Sequence, residues 1–199
     1  MTDPREKQLK EAHVLPLMEL ICSWRSQGWS VPSIDPLDGG IRAKALFLLE
    51  SPGPQAVGSN YISRDNPDPS ARNMADSLAR AGLAREDTLL WNVVPYCVAT
   101  RERNRNASST QIKGARDFTQ AFINCLPNLR AIVFCGRKAQ IAKPLLVFSA
   151  RAFSTFHTGA MSFNRPAYRG HILSTFAEVS TEISRNRFSD MGDARFNAL

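Results

Sequence analysis

The sequence lacks the features of several common protein classes. None of its 199 residues lie in an apolar run approaching roughly 18 residues, which excludes a membrane-spanning helix. It contains neither the Gly-Lys-Ser/Thr of a phosphate-binding P-loop nor the G-x-S-x-G of an α/β hydrolase. It also contains no internal repeat and no low-complexity segment. The first ten residues are charged where a secretory signal has its apolar core, so we expect a cytoplasmic protein.

Cysteine is scarce, and its spacing matches no familiar metal site. Cys22, Cys97, Cys125 and Cys135 form no C-x-x-C pair, and their spacings fit neither a zinc ribbon nor a ferredoxin. Disulfides are rare in cytoplasmic proteins. We therefore expect buried, unligated thiols, no metal and no cofactor.

Acidic residues are outnumbered by basic ones, which leaves a formal net charge of +7. This excess suits a polyanionic partner such as nucleic acid, although many basic proteins bind none. The hydrophobic fraction of 43% is enough for a sizeable core. The length predicts one domain over residues 1–185, and the lack of periodicity in residues 186–199 predicts a mobile tail.

Short apolar runs alternate with helical patterns along the chain. The runs predict strands at residues 43–49, 88–94, 130–135 and 152–157. Helices are predicted at residues 5–27, broken or kinked at Pro16, and at 69–82, 108–126 and 171–183. Strands that are apolar throughout are typical of a sheet covered on both faces. The sequence therefore predicts an α/β fold, a three-layer αβα sandwich around a mainly parallel four-stranded sheet.

Four segments that follow predicted strands carry the polar residues best suited to a site, because ligands of open α/β sheets bind outside the carboxyl ends of the strands. They are residues 49–54, 61–70, 91–96 and 156–164. In the first, Glu50 precedes a Pro-Gly turn and is either a ligand-binding carboxylate or an ordinary solvated side chain. In the third, the Asn92 amide either reads the edge of a base or bonds neighbouring backbone.

The other two segments allow similar alternatives. Tyr61 can stack on a base, Arg64 can hold a phosphate, and two carboxylates follow them. The alternative is that Asp65, Asn66 and Asp68 form turns ahead of a helix that Ser70 caps. His157 is either catalytic or structural.

In this order the segments resemble the uracil-DNA glycosylase superfamily, over roughly residues 43–164. Residues 49–53 (LESPG) resemble its strand-end motif Gly-Glu-Ala-Pro-Gly, and Asn92 in WNVVPY resembles its base-reading asparagine. Residues 157–162 (HTGAMS) resemble its His-Pro-Ser motif with the wedge residue that follows. Residues 61–73 (YISRDNPDPSARN) resemble the loop that carries the stacking aromatic in a bacterial subgroup.

The resemblance implies a base excision repair enzyme that flips uracil out of DNA and hydrolyses its N-glycosidic bond, leaving an abasic site. Its partner would be uracil-containing DNA, single- or double-stranded, and it would act as a monomer in the bacterial cytosol, away from membranes. The implied catalytic residues are Asp65, Glu50 and His157. The implied base pocket comprises Ser51, Pro52, Gly53, Tyr61 and Asn92, and the implied DNA contacts are Arg64, Arg101, Thr158, Gly159, Met161, Ser162 and Arg165.

The sequence departs from the family pattern at several positions. Ser51 stands where the best-known branch has its water-activating aspartate, so that role passes to Glu50, Asp65 or Asp68, of which we favour Asp65. Gly53 replaces the tyrosine that excludes the methyl group of thymine. Cys97 stands where iron–sulfur branches have one ligand, but its partners are missing, so no cluster is expected.

Two other functions remain compatible with these residues. The same fold can act on another deaminated base, hypoxanthine or xanthine, because pocket details select the base. A non-catalytic module that binds single-stranded DNA would use the same aromatic and basic side chains.

Overall fold

The structure, a computed structural model, describes residues 3–98 and 106–185. Its strands are β1 (Ser33–Ile34), β2 (Ala45–Leu49), β3 (Tyr61–Ile62), β4 (Thr88–Asn92), β5 (Ala131–Cys135) and β6 (Arg151–Thr155). Its α-helices are α1 (Leu15–Ser26), α2 (Pro54–Ser59), α3 (Pro69–Arg80), α4 (Ser109–Gly114), α5 (Arg116–Asn124), α6 (Arg137–Ala142), α7 (Ala160–Phe163) and α8 (Pro166–Ser184). A 3-10 helix, Pro4–Lys10, precedes α1.

The central sheet has four parallel strands in the order β4-β2-β5-β6, which confirms the predicted fold class. β4 and β5 are buried along their whole length, as expected for strands covered on both faces. The short strands β1 and β3 form a separate parallel pair that the sequence did not predict. Helices α2, α6 and α7 were also not predicted, because each spans six residues or fewer and shows little periodicity.

Aromatic side chains pack helices on opposite faces of this sheet. Phe47 of β2 packs against Phe176 of α8, with ring centroids 4.9 Å apart. On the other face, Trp91 of β4 stacks on Phe122 of α5 at 4.2 Å and lies 6.5 Å from Trp24 of α1. Neighbouring residues of a strand point to opposite faces, so these contacts establish helix layers above and below the sheet.

Three predicted helices differ from the observed ones in their ends. Pro16 lies in the first turn of α1 and does not kink a longer helix. The N–H groups of the first turn have no intrahelical acceptor, so a proline, which lacks an N–H, loses no hydrogen bond there. The predicted helix at 108–126 divides into α4 and α5 at Ala115, directly after the weak helix former Gly114. The last helix starts at Pro166, five positions before the expected start at His171.

The parallel arrangement brings the carboxyl ends of the strands to one edge of the sheet. Leu49, the last residue of β2, lies opposite Asn92, the last residue of β4. The segment after β6 reaches the same edge. Among the described helices, none combines the length and the apolar character needed to cross a membrane.

Candidate functional site

A cavity of about 310 Å³ lies at the carboxyl edge of the sheet. Its volume is at the lower end of the range for small-molecule sites. Segments that are far apart in the chain form its wall. The described residues that line it are Leu49, Ser51, Pro52, Gly53, Pro54, Gln55, Ala56, Ile62, Ser63, Asn66, Asp68, Ser70, Ala71, Met74, Leu90, Asn92 and His157.

Asn92 brings a buried amide to this cavity. Its side chain is 3% exposed, and within the described residues the amide has no hydrogen-bond partner. Such a group, at the end of β4 and beside an open cavity, is suited to pair with a ligand that offers both a donor and an acceptor.

His157 lines the same cavity from the segment after β6. The backbone N–H of Gly159 donates to its Nδ1 at 2.9 Å. Burial lowers the pKa of His157 from its ordinary value of 6.5, and the charge of Asp68 raises it in part. Because a backbone amide can only donate, Nδ1 must accept, and the neutral ring carries its proton on Nε2. The site therefore favours a neutral imidazole with Nε2–H as a donor.

Asp68 is the carboxylate that the structure places at the cavity. It is the N-cap of α3, and its Oδ1 accepts from the backbone N–H groups of Ser70 and Ala71 at 2.9 and 3.0 Å. Its charge acts on His157. The residue pattern favours Asp65 for the water-activating role and gives Asp68 as an alternative. The signal that points to Asp68 is its position directly before Pro69, which predicts a cap and hence a carboxylate at the helix N-terminus.

Glu50 and Asp65 are not among the described residues that line the cavity. The Glu50 carboxylate accepts from the backbone N–H of Ala107. The side chain of Asp65 is half exposed and pairs with Arg85 at 2.8 Å. Both carboxylates thus have partners elsewhere.

Tyr61 also lies away from the cavity. It is 3% exposed, and the guanidinium of Arg5 lies 4.0 Å from its ring centroid. Burial raises the pKa of its hydroxyl. The expected stacking of this ring on a base does not fit its position, because the N-terminal segment covers it and β3 holds its backbone.

Arg64 is buried and is not available to DNA. Its Nη2 lies 3.1 Å from Asp38 Oδ1 and donates to Thr88 Oγ1 at 2.6 Å. Asp35 and Asp38 are buried after β1, and Arg85 contacts both of them. The expectation of a phosphate contact was wrong because buried carboxylates need a cation within the protein, and Arg64 supplies it.

The segment after β6 divides into a fixed part and an exposed part. Thr158 is fully buried: its hydroxyl lies 3.0 Å from that of Ser70, and its carbonyl accepts from Asn73 Nδ2 at 2.8 Å. Its side chain is therefore not accessible to a partner, contrary to the expected DNA contact. The amide of Gly159 is used by His157.

Beyond Gly159 the chain is accessible. Met161 is 86% exposed, Arg165 is exposed, and Ser162 is half-buried. These three residues are placed where a partner could touch them. Arg101 lies outside the described residues.

The cysteines differ in their surroundings. Cys135 is buried, and burial raises the pKa of its thiol, whereas Cys22 is exposed and Cys125 is half-buried. The expectation that all are buried was therefore wrong. Within residues 3–98 and 106–185, no group of three or more His, Cys, Asp or Glu side chains is arranged to hold a metal ion.

Comparison with known proteins gives a structural likeness without a sequence match. No protein-family model and no curated sequence matches the chain. The fold is similar to a crystal structure of the mimivirus uracil-DNA glycosylase UNG in complex with UGI, at 14% identity and a TM-score of 0.41, over 81% of this chain and 72% of that chain. The function proposed below therefore rests on the residues of the cavity.

Proposed function

We propose that this protein is a DNA glycosylase that removes uracil from DNA and leaves an abasic site. The observation that carries the proposal is that Asn92 and His157, 65 positions apart in the sequence, line one cavity. Their hydrogen-bonding groups are complementary to those of uracil. One is an amide that faces the cavity and has no hydrogen-bond partner among the described residues, and the other is a neutral imidazole whose Nε2–H is a donor. The resemblance of the strand-end motifs to the glycosylase superfamily supports the same conclusion.

Asn92 would select the base. Its Oδ1 accepts from N3–H of uracil while its Nδ2 donates to O4. Cytosine has an acceptor at N3 and a donor at N4, so both groups would face the wrong partner. Sites that hydrogen-bond a substrate reject mismatched analogues strongly, since their own buried polar groups are then left unpaired.

His157 would stabilise the leaving base. As the bond between C1′ and N1 breaks, its electron pair stays with uracil, and the negative charge reaches O2. The Nε2–H of a neutral imidazole donates to that oxygen without a prior proton transfer. A preorganised donor of this kind contributes about 10²–10³-fold to turnover.

Asp68 would act on the other side of the bond. The sugar develops oxocarbenium character, which a carboxylate stabilises electrostatically. The same carboxylate can orient water and accept its proton as the water oxygen bonds to C1′. This assignment replaces Asp65 and Glu50, whose carboxylates are paired away from the cavity.

The exposed segment after β6 would hold the DNA. Met161 fills the gap that the flipped base leaves in the stack, and Arg165 contacts phosphate. Unstacking a nucleotide requires a few kcal/mol, which such contacts offset. The protein would act as a monomer.

The test is cleavage of a single-stranded oligonucleotide with one uracil, followed by alkali to break the abasic site. We expect His157→Ala and Asp68→Asn each to lower turnover by about 10²-fold or more. Asn also serves as a helix cap, so Asp68→Asn removes the charge and keeps the cap. The matched variants Asp65→Asn and Glu50→Gln should stay within about threefold of wild type.

Parallel oligonucleotides with hypoxanthine or xanthine test the choice of base. Cleavage of neither uracil nor these bases by the wild-type protein would rule out the enzyme. Tight binding of the same strands without cleavage would instead support the DNA-binding module.

A further inference from the structure

The imidazole of His157 lies between two glycines. Gly136 follows β5, and a Cβ built there would lie 3.0 Å from His157 Cβ. A Cβ built on Gly159 would lie 3.0 Å from His157 Nδ1 and 3.5 Å from Cε1. The usual separation of non-bonded carbon atoms is about 3.5–4.0 Å, so either added methyl group would press on the histidine.

The backbone alone does not explain glycine at position 159. Its φ of −61° and ψ of 154° are angles that any residue adopts. Gly136 differs, because its φ of 90° lies in the region that favours glycine. The His157 ring lies beside Gly159, close enough for its Nδ1 to accept a hydrogen bond from the Gly159 N–H at 2.9 Å.

Helix α3 restrains the same segment through the residue between His157 and Gly159. Thr158 is bound through its hydroxyl by Ser70 and through its carbonyl by Asn73. Both contacts hold Thr158, the residue directly before the position where the Cβ would be added. We expect the ring, and not the backbone, to move when a side chain is added at position 159.

We propose that Gly136 and Gly159 are positioning residues that form a slot for His157 and hold its ring with Nδ1 as acceptor and Nε2–H as donor. This inference rests on the proposed function for its effect on catalysis. The slot itself concerns the ring alone, so it can be measured without any substrate. The glycines act through His157 and contact no reacting atom.

The experiment compares Gly159→Ala and Gly136→Ala with two control substitutions. Gly170→Ala adds a Cβ that meets nothing within 4 Å. Gly28→Ala adds a Cβ at a residue that shares the φ of 90° of Gly136 and has nothing within 4 Å of its Cβ position, so it controls for a side chain at positive φ. In Gly136→Ala the contact with His157 is combined with the strain of a ψ of 160°, so Gly159→Ala, whose backbone any residue can adopt, is the deciding variant.

The first readout is ¹⁵N NMR of the imidazole, assigned with His157→Ala. We expect a pyridine-like Nδ1 and a pyrrole-like Nε2 in the wild type and in both controls. In Gly159→Ala we expect exchange between tautomers and a changed histidine pKa. The second readout is uracil excision, where we expect turnover of Gly159→Ala to fall about tenfold or more with KM nearly unchanged.

The outcomes separate the two proposals. A Gly159→Ala protein with the wild-type tautomer, pKa and turnover would overturn the slot, whatever the behaviour of Gly136→Ala. If Gly136→Ala does not fold while Gly28→Ala does, Gly159→Ala alone decides. A tautomer that shifts as expected in a protein without glycosylase activity would keep the slot and reject the proposed function.

Discussion

At the scale of single residues, the site depends on polar groups that the fold leaves available. The Asn92 amide is buried at the end of a strand without a partner among the described residues. The His157 ring is kept neutral by burial and is oriented by one backbone amide. Both groups are prepared for a ligand before it arrives, which reduces the reorganisation needed during a reaction.

The Asn92 amide predicts the effect of removing its donor. In Asn92→Asp the side chain can no longer donate to O4 of uracil and introduces a buried charge. We expect kcat/KM for uracil to fall by about 10²-fold and the preference for uracil over cytosine to shrink. Excision rates on matched oligonucleotides measure both, with the exposed Asn128→Asp as control. Unchanged rate and selectivity would show that another residue reads the base.

The pKa of His157 predicts the pH dependence of excision. The neutral ring is the donor in the proposed mechanism, and burial lowers its pKa below 6.5. As pH decreases, turnover should therefore fall with a midpoint below pH 6.5, where the ring becomes protonated. Asp68 raises the pKa, so its removal in Asp68→Asn should move the fall to still lower pH. If turnover instead fell with decreasing pH at a midpoint above 6.5, the result would contradict a neutral donor at this residue.

At the scale of elements, helix α3 connects the two halves of the site. Its N-cap Asp68 lines the cavity, and its first turns bind the segment that carries His157. A rigid helix can hold both groups at a fixed separation, whereas two independent loops would need further contacts to do so. The geometry of the site therefore depends on the docking of α3.

Asn73 offers a test of this docking. Asn73→Ala removes the hydrogen bond to the Thr158 carbonyl, which should lower the free energy of unfolding by about 1 kcal/mol. For a chain of this size the expected fall in Tm is about 2–4 °C. We also expect a several-fold loss of turnover, since the loop is less restrained. Calorimetry and excision assays measure these, and Asp76→Ala, on the exposed side of α3, should change neither by as much.

The buried ion cluster around β1 predicts a second effect of pH, this time on folding. Burial raises the pKa of Asp38 from 3.8 to about 7, and Asp35 adds to the shift while Arg64 and Arg85 oppose it. At a pH between 3.8 and about 7, Asp38 keeps its proton in the folded protein, whereas in the unfolded chain it has released it. The contribution of Asp38 to stability therefore decreases as pH rises through this range.

Asp38→Asn removes this titration. The difference in unfolding free energy, wild type minus variant, should decrease as pH rises from about 4 to 7, with a slope of at most ~1.4 kcal/mol per pH unit. Urea unfolding at several pH values measures it. Other groups titrate in both proteins and largely cancel. A difference that is independent of pH would mean that Asp38 stays ionised.

At the scale of the whole molecule, the excess of positive charge predicts salt-dependent binding of DNA. The net charge is +7, and Arg165 is exposed near Met161, beyond the segment that carries His157. Each phosphate contact releases counterions, so Arg165→Gln should weaken binding and reduce the slope of log K against log salt by about one. Titrations at several salt concentrations measure the slope.

Arg151 provides the matched control. It begins β6, at the amino end of the sheet and opposite the cavity, and it pairs with Glu182. Arg151→Gln removes the same charge from the other end of the molecule. Equal effects of the two variants would indicate a general electrostatic attraction without a defined DNA surface.

The four strands of the central sheet can be predicted from the sequence, because burial on both faces requires continuous apolar runs. The sequence also placed Asn92 and His157 after strands, and the carboxyl ends of parallel strands share one edge. Local rules predicted a helix start at Pro69, but they gave Ser70 as its cap, whereas the structure has Asp68 in that position.

The directions of the side chains in β3 and in the loop that follows it depend on tertiary contacts. Arg64 turns inward because carboxylates from the loop after β1 are buried beside it, and Tyr61 is covered by Arg5 from the N-terminal segment. Asp65 turns to Arg85, twenty positions away. A loop side chain takes its direction from the partners it meets in space, and those partners are distant in the sequence, so residue type and spacing do not determine it.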